Sequence, residues 1–200
     1  MTALREIRPT LTLALPIIVG QVSQMLMGVT DSVMIGRAGT VPLAASAFGG
    51  NVFNVFFVVG IGLMIPVSIL VSRARGAAKP EEAGEYLRHG MTLALVSGAV
   101  ETLMMVGLGT QLARFGQPPE VLAVVMPFYL MMAASITSVF VYLVLRQFAE
   151  AMGHPWVPMV IMLCGVGLNA ALNWVFIYGH LGMPALGLTG AGISTLVSRA

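Results

Sequence analysis

Charged residues are scarce in this sequence of 200 residues: they make up 9% of it, whereas soluble domains carry about 25%. Hydrophobic residues account for 58%, and so few charges cannot cover such a core in water. We therefore interpret the chain as an integral membrane protein. The formal net charge of +2 is too small to indicate a nucleic-acid partner.

Cysteine and recognisable catalytic motifs are also nearly absent. The single Cys164 excludes an internal disulfide and any cysteine-based metal site. No nucleophile–base pair, phosphate-binding glycine loop or metal motif is visible, and His89, His154 and His180 stand alone without metal-ligand spacing. The sequence thus argues against an enzyme and predicts neither a cofactor nor a metal centre.

Long apolar segments are what the sequence has instead. A helix of about 20 residues crosses a hydrocarbon core of about 30 Å. We expect spans near residues 10–35, 43–72, 89–112, 121–148 and 156–178. A sixth apolar segment begins near Leu188 and stops at Ala200, which is too short to span. The predicted fold class is all-α: a polytopic membrane helix bundle of about five full spans plus the start of a sixth.

Breaker residues and charges fill the predicted connections. Residues 36–42 and 114–120 are predicted turns, and residues 179–187 a loop with three glycines and a proline. Residues 73–88 form the most charged stretch, with four basic and three acidic residues, and we expect a short amphipathic connection there.

The distribution of basic residues predicts an orientation. With a cytoplasmic N-terminus, seven basic residues lie inside and two, Arg37 and Arg114, lie outside, in agreement with the positive-inside rule. The seven are Arg5, Arg8, Arg73, Arg75, Lys79, Arg88 and Arg146. The predicted location is the cytoplasmic (inner) membrane. The pentapeptide LVSRA occurs at residues 70–74 and 196–200, and we expect both copies at the inner ends of even-numbered spans.

A carboxylate lies well inside the first span. At the centre of a membrane helix an Asp costs roughly 2.5–3.5 kcal/mol, so Asp31 needs a buried partner, a cavity or a transported ion. At 100° per residue, Asp31 shares one stripe with Pro16, Gly20, Gln24 and Met27. We interpret Asp31 as a proton or cation site; the alternative is a structural carboxylate hydrogen-bonded to a neighbouring helix.

Amide side chains recur in the other spans. Asn169 and Asn173 are spaced i, i+4 in the fifth span, where they either position Asp31 and an ion or hold helices together. Asn51 and Asn54 are spaced i, i+3 in the second span. For the amides of Gln24, Asn51 and Asn54 we favour a role in helix–helix contacts. Together with Met27, they are also our candidates for a substrate cavity.

Three further ionisable residues lie within or at the ends of the spans. Glu101 is either a second titrating group or, as we favour, a neutral carboxyl that faces another helix. Arg146 and Glu150 are spaced i, i+4 and predict an ion pair at the inner end of the fourth span.

Four stretches, in order, resemble the multidrug and toxic compound extrusion (MATE) family of transporters. They are ALPIIVGQVSQMLMGVTDSVMIGRAG in span one, ILVSRARGA at the end of span two, RQFAEAMGHPWVPM after span four, and NAALNWVFIYGHLGMPALGLTGAGIST across spans five and six. The resemblance implies two six-helix lobes around a central cavity, with sodium or proton antiport that exports organic cations. Residues 1–200 would form the N-terminal lobe, and the partners would be the lipid bilayer and a C-terminal lobe.

The resemblance also implies roles for single residues. Asp31 matches the first-span acid assigned to cation or proton coupling, and Asn169 and Asn173 match positions around it. Some relatives carry an Asp at the second position, so Asn173 leaves one acid fewer here. Ala191 and Thr195 match sixth-span positions that line the same pocket. Because twelve spans are needed, we expect the chain to be a fragment of a longer protein or a truncated gene product.

Three other functions are weighed against antiport. A flippase for lipid-linked precursors would need several basic residues in its cavity, and the basic residues here are expected at span ends, none deep within a span. A membrane-embedded prenyl transferase would need paired Asp motifs, and no DxxxD occurs. A non-transporting membrane fragment or scaffold stays open, as does the choice between Na⁺ and H⁺.

Overall fold

The fold is a bundle of α-helices. The computed structural model describes the backbone of residues 3–199 and the side chains of residues 11–199. The helices are α1 (Ala3–Ala38), α2 (Thr40–Gly76), α3 (Pro80–Gly109), α4 (Pro119–Ala151), α5 (Trp156–Tyr178) and α6 (Leu188–Arg199). A short 3-10 helix, Leu112–Phe115, follows α3, and residues 3–199 contain no strand. The predicted all-α class is confirmed.

Five of these helices are long and apolar enough to cross a membrane, namely residues 11–38 of α1 and the whole of α2, α3, α4 and α5. Many large apolar side chains on them are exposed in the isolated chain, among them Ile18, Met25 and Leu103. Such an apolar exterior is suited to contact with lipid or with another membrane-embedded surface. The five predicted spans are thereby confirmed.

Two predicted connections are shorter than expected. The stretch 73–88 is not an amphipathic connection, because α2 continues to Gly76 and α3 already begins at Pro80. Proline suits a first helical position, where its missing N–H is not needed. The turn expected at 36–42 shrinks to Gly39, whose φ of 139° favours glycine, while Pro42 lies in the first turn of α2.

The ends of α2, α3 and α4 carry two ion pairs and a hydrogen bond between helices. Lys79 pairs with Glu82 at 2.6 Å, and this hydrogen bond raises the pKa of Lys79. Arg75 donates to the carbonyl of Ala151 at 3.0 Å and so joins the ends of α2 and α4. The predicted pair of Arg146 and Glu150 is confirmed, with 2.7 Å between Nε and Oε1. The side chains of Arg5 and Arg8, two of the basic residues expected on the cytoplasmic side, lie outside the described residues.

Helix α4 is the centre of the bundle. It packs against α2, α3 and α6, while α1 packs mainly against α5. Helix α6 lies between α4 and α5 and contacts both. The bundle therefore consists of an α2–α3–α4 group and an α1–α5 pair, and α6 joins them.

Glycines allow the closest approach between helices. A Cβ atom at Gly60 of α2 would overlap the ring of Phe140 on α4, and one at Gly98 of α3 would lie 2.8 Å from the Cα of Thr137. Small residues let membrane helices approach closely. The dispersion attraction between the two backbones then stabilises the helix pair, whereas contacts of large apolar side chains are little better than contacts with lipid.

We predict that Gly60→Ala lowers the melting temperature of the purified protein in detergent, because the added methyl group displaces the Phe140 ring. Overpacking of this kind costs about 1–3 kcal/mol. The matched control is Gly62→Ala, two residues away on α2, where a Cβ meets nothing within 4 Å. The control should melt at or above the wild-type temperature. Equal melting of the two variants would contradict the packing of α2 on α4.

Candidate functional site

The site is built around Asp31, which lies half-buried on α1. The side-chain amide of Asn173 on α5 donates to Oδ1 of Asp31 at 2.5 Å and to Oδ1 of Asn169 at 3.1 Å. Asn169 in turn donates to the hydroxyl of Ser198 on α6 at 3.4 Å. These four residues, which we term the polar chain, connect three helices through side-chain hydrogen bonds.

The sequence explains how α5 contributes to the polar chain. Positions i and i+4 share one helix face, so Asn169 and Asn173 point the same way. Both are fully buried, at 1% and 0% exposure. Buried amides require hydrogen-bond partners, and a medium without water makes that requirement stricter. The two asparagines are therefore committed to each other and to α1 and α6.

The C-terminal end of α5 is joined to α1 close to Asp31. The hydroxyl of Tyr178 donates to the carbonyl of Met34 at 2.9 Å, one helical turn beyond Asp31. His180 follows, stacked on the ring of Trp174 with 3.9 Å between centroids. The α1–α5 contact is thus fixed by a second hydrogen bond beside the one between Asp31 and Asn173.

Helix α6 approaches the site through small residues. A Cβ at Gly190 would collide with the backbone carbonyl of Phe176 on α5, and one at Gly192 would lie 2.7 Å from Sδ of Met131 on α4. Thr195 is buried, and its hydroxyl donates to the carbonyl of Ala191 in its own helix at 2.9 Å. Thr195 therefore lies one turn from Ser198, but this hydrogen bond does not join it to the polar chain.

The oxygens of the site suit a small cation. Asp31 offers a carboxylate, and Asn169 and Asn173 offer amide oxygens, the ligand type that hard cations prefer. Within residues 11–199, Oδ1 of Asn173 is buried without a hydrogen-bond partner. The same described residues hold no group of three or more His, Cys, Asp or Glu side chains that could bind a metal ion. The arrangement fits a proton or a monovalent cation at one carboxylate.

The predicted stripe on α1 is only partly buried. Pro16 and Gly20 are buried, and Met27 and Asp31 are half-buried, but Gln24 is exposed. Ser23 is buried beside it and donates to its own helix. Helix α1 thus turns Gln24 towards the exterior of the isolated chain.

The candidate cavity residues on α2 are not brought to Asp31. Asn51 and Asn54 are exposed, and no hydrogen bond among the described residues joins them to the polar chain. Their assignment to a substrate cavity, like that of Gln24 and Met27, stays a prediction.

Glu101 lies apart from the polar chain. It is 5% exposed on α3, which packs against α2 and α4. Both of its carboxyl oxygens lack a hydrogen-bond partner among residues 11–199. The interpretation as a neutral carboxyl stays a prediction.

Sequence reasoning missed two residues of α6. Ser198, three positions after Thr195, ends the polar chain. Arg199 lies in the last turn of α6, as Arg73 of the matching pentapeptide lies in the last turn of α2, and the expected inner location of both stays a prediction. Arg199 differs from the exposed Arg73 in that it contacts Ser135 and Met132 near the middle of α4. An Arg twelve positions into an apolar segment was the available signal.

Arg199 is held by contacts inside the bundle. Its guanidinium lies 3.3 Å from Oγ of Ser135 and 3.8 Å from Sδ of Met132, both on α4. It also lies over the ring of Phe53 on α2, 5.1 Å from the centroid. The expectation that no basic residue lies deep within a span is therefore wrong.

A bundle of membrane-spanning helices with a carboxylate–amide chain in its interior defines a class of protein, the polytopic membrane transporter. The MatE family model matches residues 16–175 of the chain. The chain therefore belongs to the MatE family, whose members are transporters and not enzymes.

Individual relatives agree with this assignment. A probable multidrug resistance protein NorM from Neisseria meningitidis serogroup B is 31% identical over 194 residues, which cover 96% of this chain and 42% of the relative. A solved MOP superfamily transporter from Pyrococcus furiosus is 26% identical with a TM-score of 0.87, over 96% of this chain and 42% of that one. A solved multidrug resistance MATE family transporter in an outward-facing conformation is also 26% identical with a TM-score of 0.87, over 96% of this chain and 42% of that one. The chain thus spans less than half the length of the relatives it matches.

We predict that Asp31 and Asn173 are energetically coupled. In a double-mutant cycle of Asp31→Ala and Asn173→Ala, the two losses of thermal stability in detergent should fall short of additivity, because either change alone breaks the same hydrogen bond. Such bonds in membranes are worth about 0.6 kcal/mol and up to about 1.7 kcal/mol. A control cycle of Asp31→Ala with Asn54→Ala should be additive. Additivity in both cycles would contradict the hydrogen bond.

Proposed function

We propose that residues 1–200 form the N-terminal lobe of a cation-coupled antiporter that exports organic cations, drugs or toxic compounds across the cytoplasmic membrane. The observation that carries the proposal is the hydrogen bond from Asn173 to Asp31, which holds an ionisable group inside the bundle. Ionisable groups at such depth are expensive and mark ion or proton pathways. The name of the Neisseria relative, a probable multidrug resistance protein, supports the direction of transport.

The coupling step takes place at Asp31. A proton or sodium ion from the outer side reaches Asp31, which lies seven residues before the end of α1, about 10 Å along the helix. Neutralising the carboxylate weakens its charge-assisted hydrogen bond with Asn173. Because that bond joins α1 to α5, the loaded and unloaded lobes differ in helix packing. The ion drives transport through its differential affinity for these two states.

Helix α1 carries residues that allow it to bend. Pro16 lacks an amide hydrogen and so removes one backbone hydrogen bond, and Gly20 follows one turn later. We propose that α1 changes direction near these residues when Asp31 is loaded. Release of the substrate on the outer side follows this movement.

The proposed orientation places the N-terminus inside. Arg73, Arg75, Lys79, Arg88 and Arg146 lie at helix ends on one side of the bundle, as the antiparallel order of α2, α3 and α4 requires. An excess of basic residues on the cytoplasmic side supports this orientation.

The substrate would bind between this lobe and a second one. The relatives are more than twice as long as the matched region, which leaves room for a C-terminal lobe of similar size. Gln24, Asn51, Asn54 and Met27 are the proposed contacts of this lobe with organic cations. Exposed amides supply acceptors for a cationic substrate, and the flexible Met side chain adapts to different apolar groups.

A flippase for lipid-linked precursors is the second candidate. Arg199 favours it, because this basic group contacts Ser135 near the middle of α4. A pyrophosphate, however, requires several basic groups, and Arg199 is packed against Ser135 and Phe53. Antiport therefore agrees better with the geometry.

We predict that Asp31→Asn abolishes dye efflux by the complete transporter that contains this lobe, since the neutral Asn side chain has no negative charge with which to take up and release a coupling cation. Efflux from cells or vesicles, with and without sodium at fixed pH, measures this loss. The matched control is Glu101→Gln, which replaces the other intramembrane carboxyl on α3. It should leave efflux near the wild-type rate. Normal efflux by Asp31→Asn would return Asp31 to a structural role.

A further inference from the structure

Arg199 is a basic residue that the proposed coupling step does not use. It lies on α6 beside Ser198 and within reach of Ser135, well inside the bundle. On insertion scales an Arg at the centre of a membrane helix costs about as much as an Asp, and it persists when a partner stabilises it. The position of Arg199 therefore needs an electrostatic explanation.

The contacts of Arg199 at bonding distance are neutral. Ser135, Met132 and Phe53 supply a hydroxyl, a thioether and an aromatic face. Neither ion pair found among residues 11–199 includes Arg199. Helix α6 packs against α1, α2, α4 and α5, and the one carboxylate in residues 11–36, 40–72, 121–145 and 156–178 of those helices is that of Asp31.

The polar chain shows how the two charges come near each other. It runs from Asp31 through Asn173 and Asn169 to Ser198, the residue before Arg199. Arg199 is therefore the next residue along α6 after the end of the polar chain that holds Asp31, and its guanidinium contacts α4.

The helices that pack against α1 and α6 add no other charge near the middle of their length. Helix α2 has no ionisable residue between Thr40 and Ser72, and α4 has only Tyr129 and Tyr142 between residues 121 and 145. Helix α5 offers Cys164, which is exposed, and Tyr178 at its outer end, with His180 just beyond it.

The remaining helices do not change this balance. Residues 188–198 of α6 carry no charge, and α1 carries only Asp31 between residues 11 and 36. Glu101 lies on α3, whose packing partners are α2 and α4. Among α1, α6 and the helices that pack on them, the charges within the spans are thus one carboxylate and one guanidinium.

One positive charge that balances one negative charge disfavours the binding of a sodium ion at Asp31. A sodium ion is held by the summed charge and number of its oxygen ligands, without a covalent bond. A fixed guanidinium near a single carboxylate cancels the charge that would attract the ion, and the low dielectric of the interior strengthens the repulsion. A proton differs, because it bonds covalently to the carboxyl oxygen.

We propose that Arg199 is a specificity-determining residue that keeps sodium from binding at Asp31 and so leaves the proton as the coupling ion. This inference rests on the proposed antiport and names the ion for it. Arg199 is a tethered positive charge: it stabilises the unloaded carboxylate and competes with any metal cation for it.

The test measures sodium binding and not transport. Binding of ²²Na⁺ to the purified complete transporter is compared between wild type and Arg199→Gln. Wild type should show no Asp31-dependent binding at millimolar sodium. Arg199→Gln should bind sodium at least about tenfold more tightly, because a nearby like charge has been removed. The added binding should vanish in the double variant Arg199→Gln/Asp31→Asn.

Two controls separate charge from structure. Arg199→Lys keeps the positive charge and should behave as wild type. Arg73→Gln makes the same change of charge at an exposed helix end and should also leave sodium binding unaltered. A size-exclusion profile shows which variants are folded.

Two results of the binding experiment would overturn the inference. One is Asp31-dependent sodium binding by the wild type at millimolar concentration, a measurement that does not depend on whether Arg199→Gln folds. The other is unchanged sodium binding in folded Arg199→Gln. Failure of the proposed antiport is a separate result, namely efflux that survives Asp31→Asn. Sodium-driven efflux lost in Asp31→Asn would keep antiport and reject the role of Arg199.

Discussion

The hydrogen bond between Asp31 and Asn173 is the contact on which the site depends. No water is at hand in a hydrocarbon core to satisfy a carboxylate, so the group must be bonded from within the protein. Asn173 can bond to Asp31 because α5 lies against α1, and α5 is held there by Tyr178 at its C-terminal end and by its packing on α6. The packing of α5 against α1 and the hydrogen bond that Asp31 requires therefore depend on each other.

The charges of the interior follow from the same constraint. Asp31 and Arg199 lie on different helices and form no direct ion pair: neutral amides connect Asp31 to Ser198, and Arg199 contacts Ser135 on α4. A direct pair would satisfy both charges and leave no reason to bind an ion. Separation by the polar chain keeps Asp31 available while it limits the cost of burying two charges.

Much of the fold follows from the sequence, because apolar length alone predicts spanning helices. The bounds of α5 were predicted to the residue, and Asn169 and Asn173 were placed on one face by their spacing. The connections were less predictable, since Gly76 and Pro80 allow helices to continue closer to the turn than charge suggests. The depth of Arg199 was missed, because depth depends on where α6 begins and on which helices surround it.

The central claim is that the state of Asp31 sets the packing of α1 against α5. Spin labels at Arg37, in the last turn of α1, and at Leu181, just beyond the end of α5, would report the separation of these helices in a Cys164→Ser background. Pulsed electron paramagnetic resonance should show a shift in distance when the pH is lowered in the wild type, and no shift in Asp31→Asn. A shift of equal size in Asp31→Asn, or none in the wild type, would contradict the account.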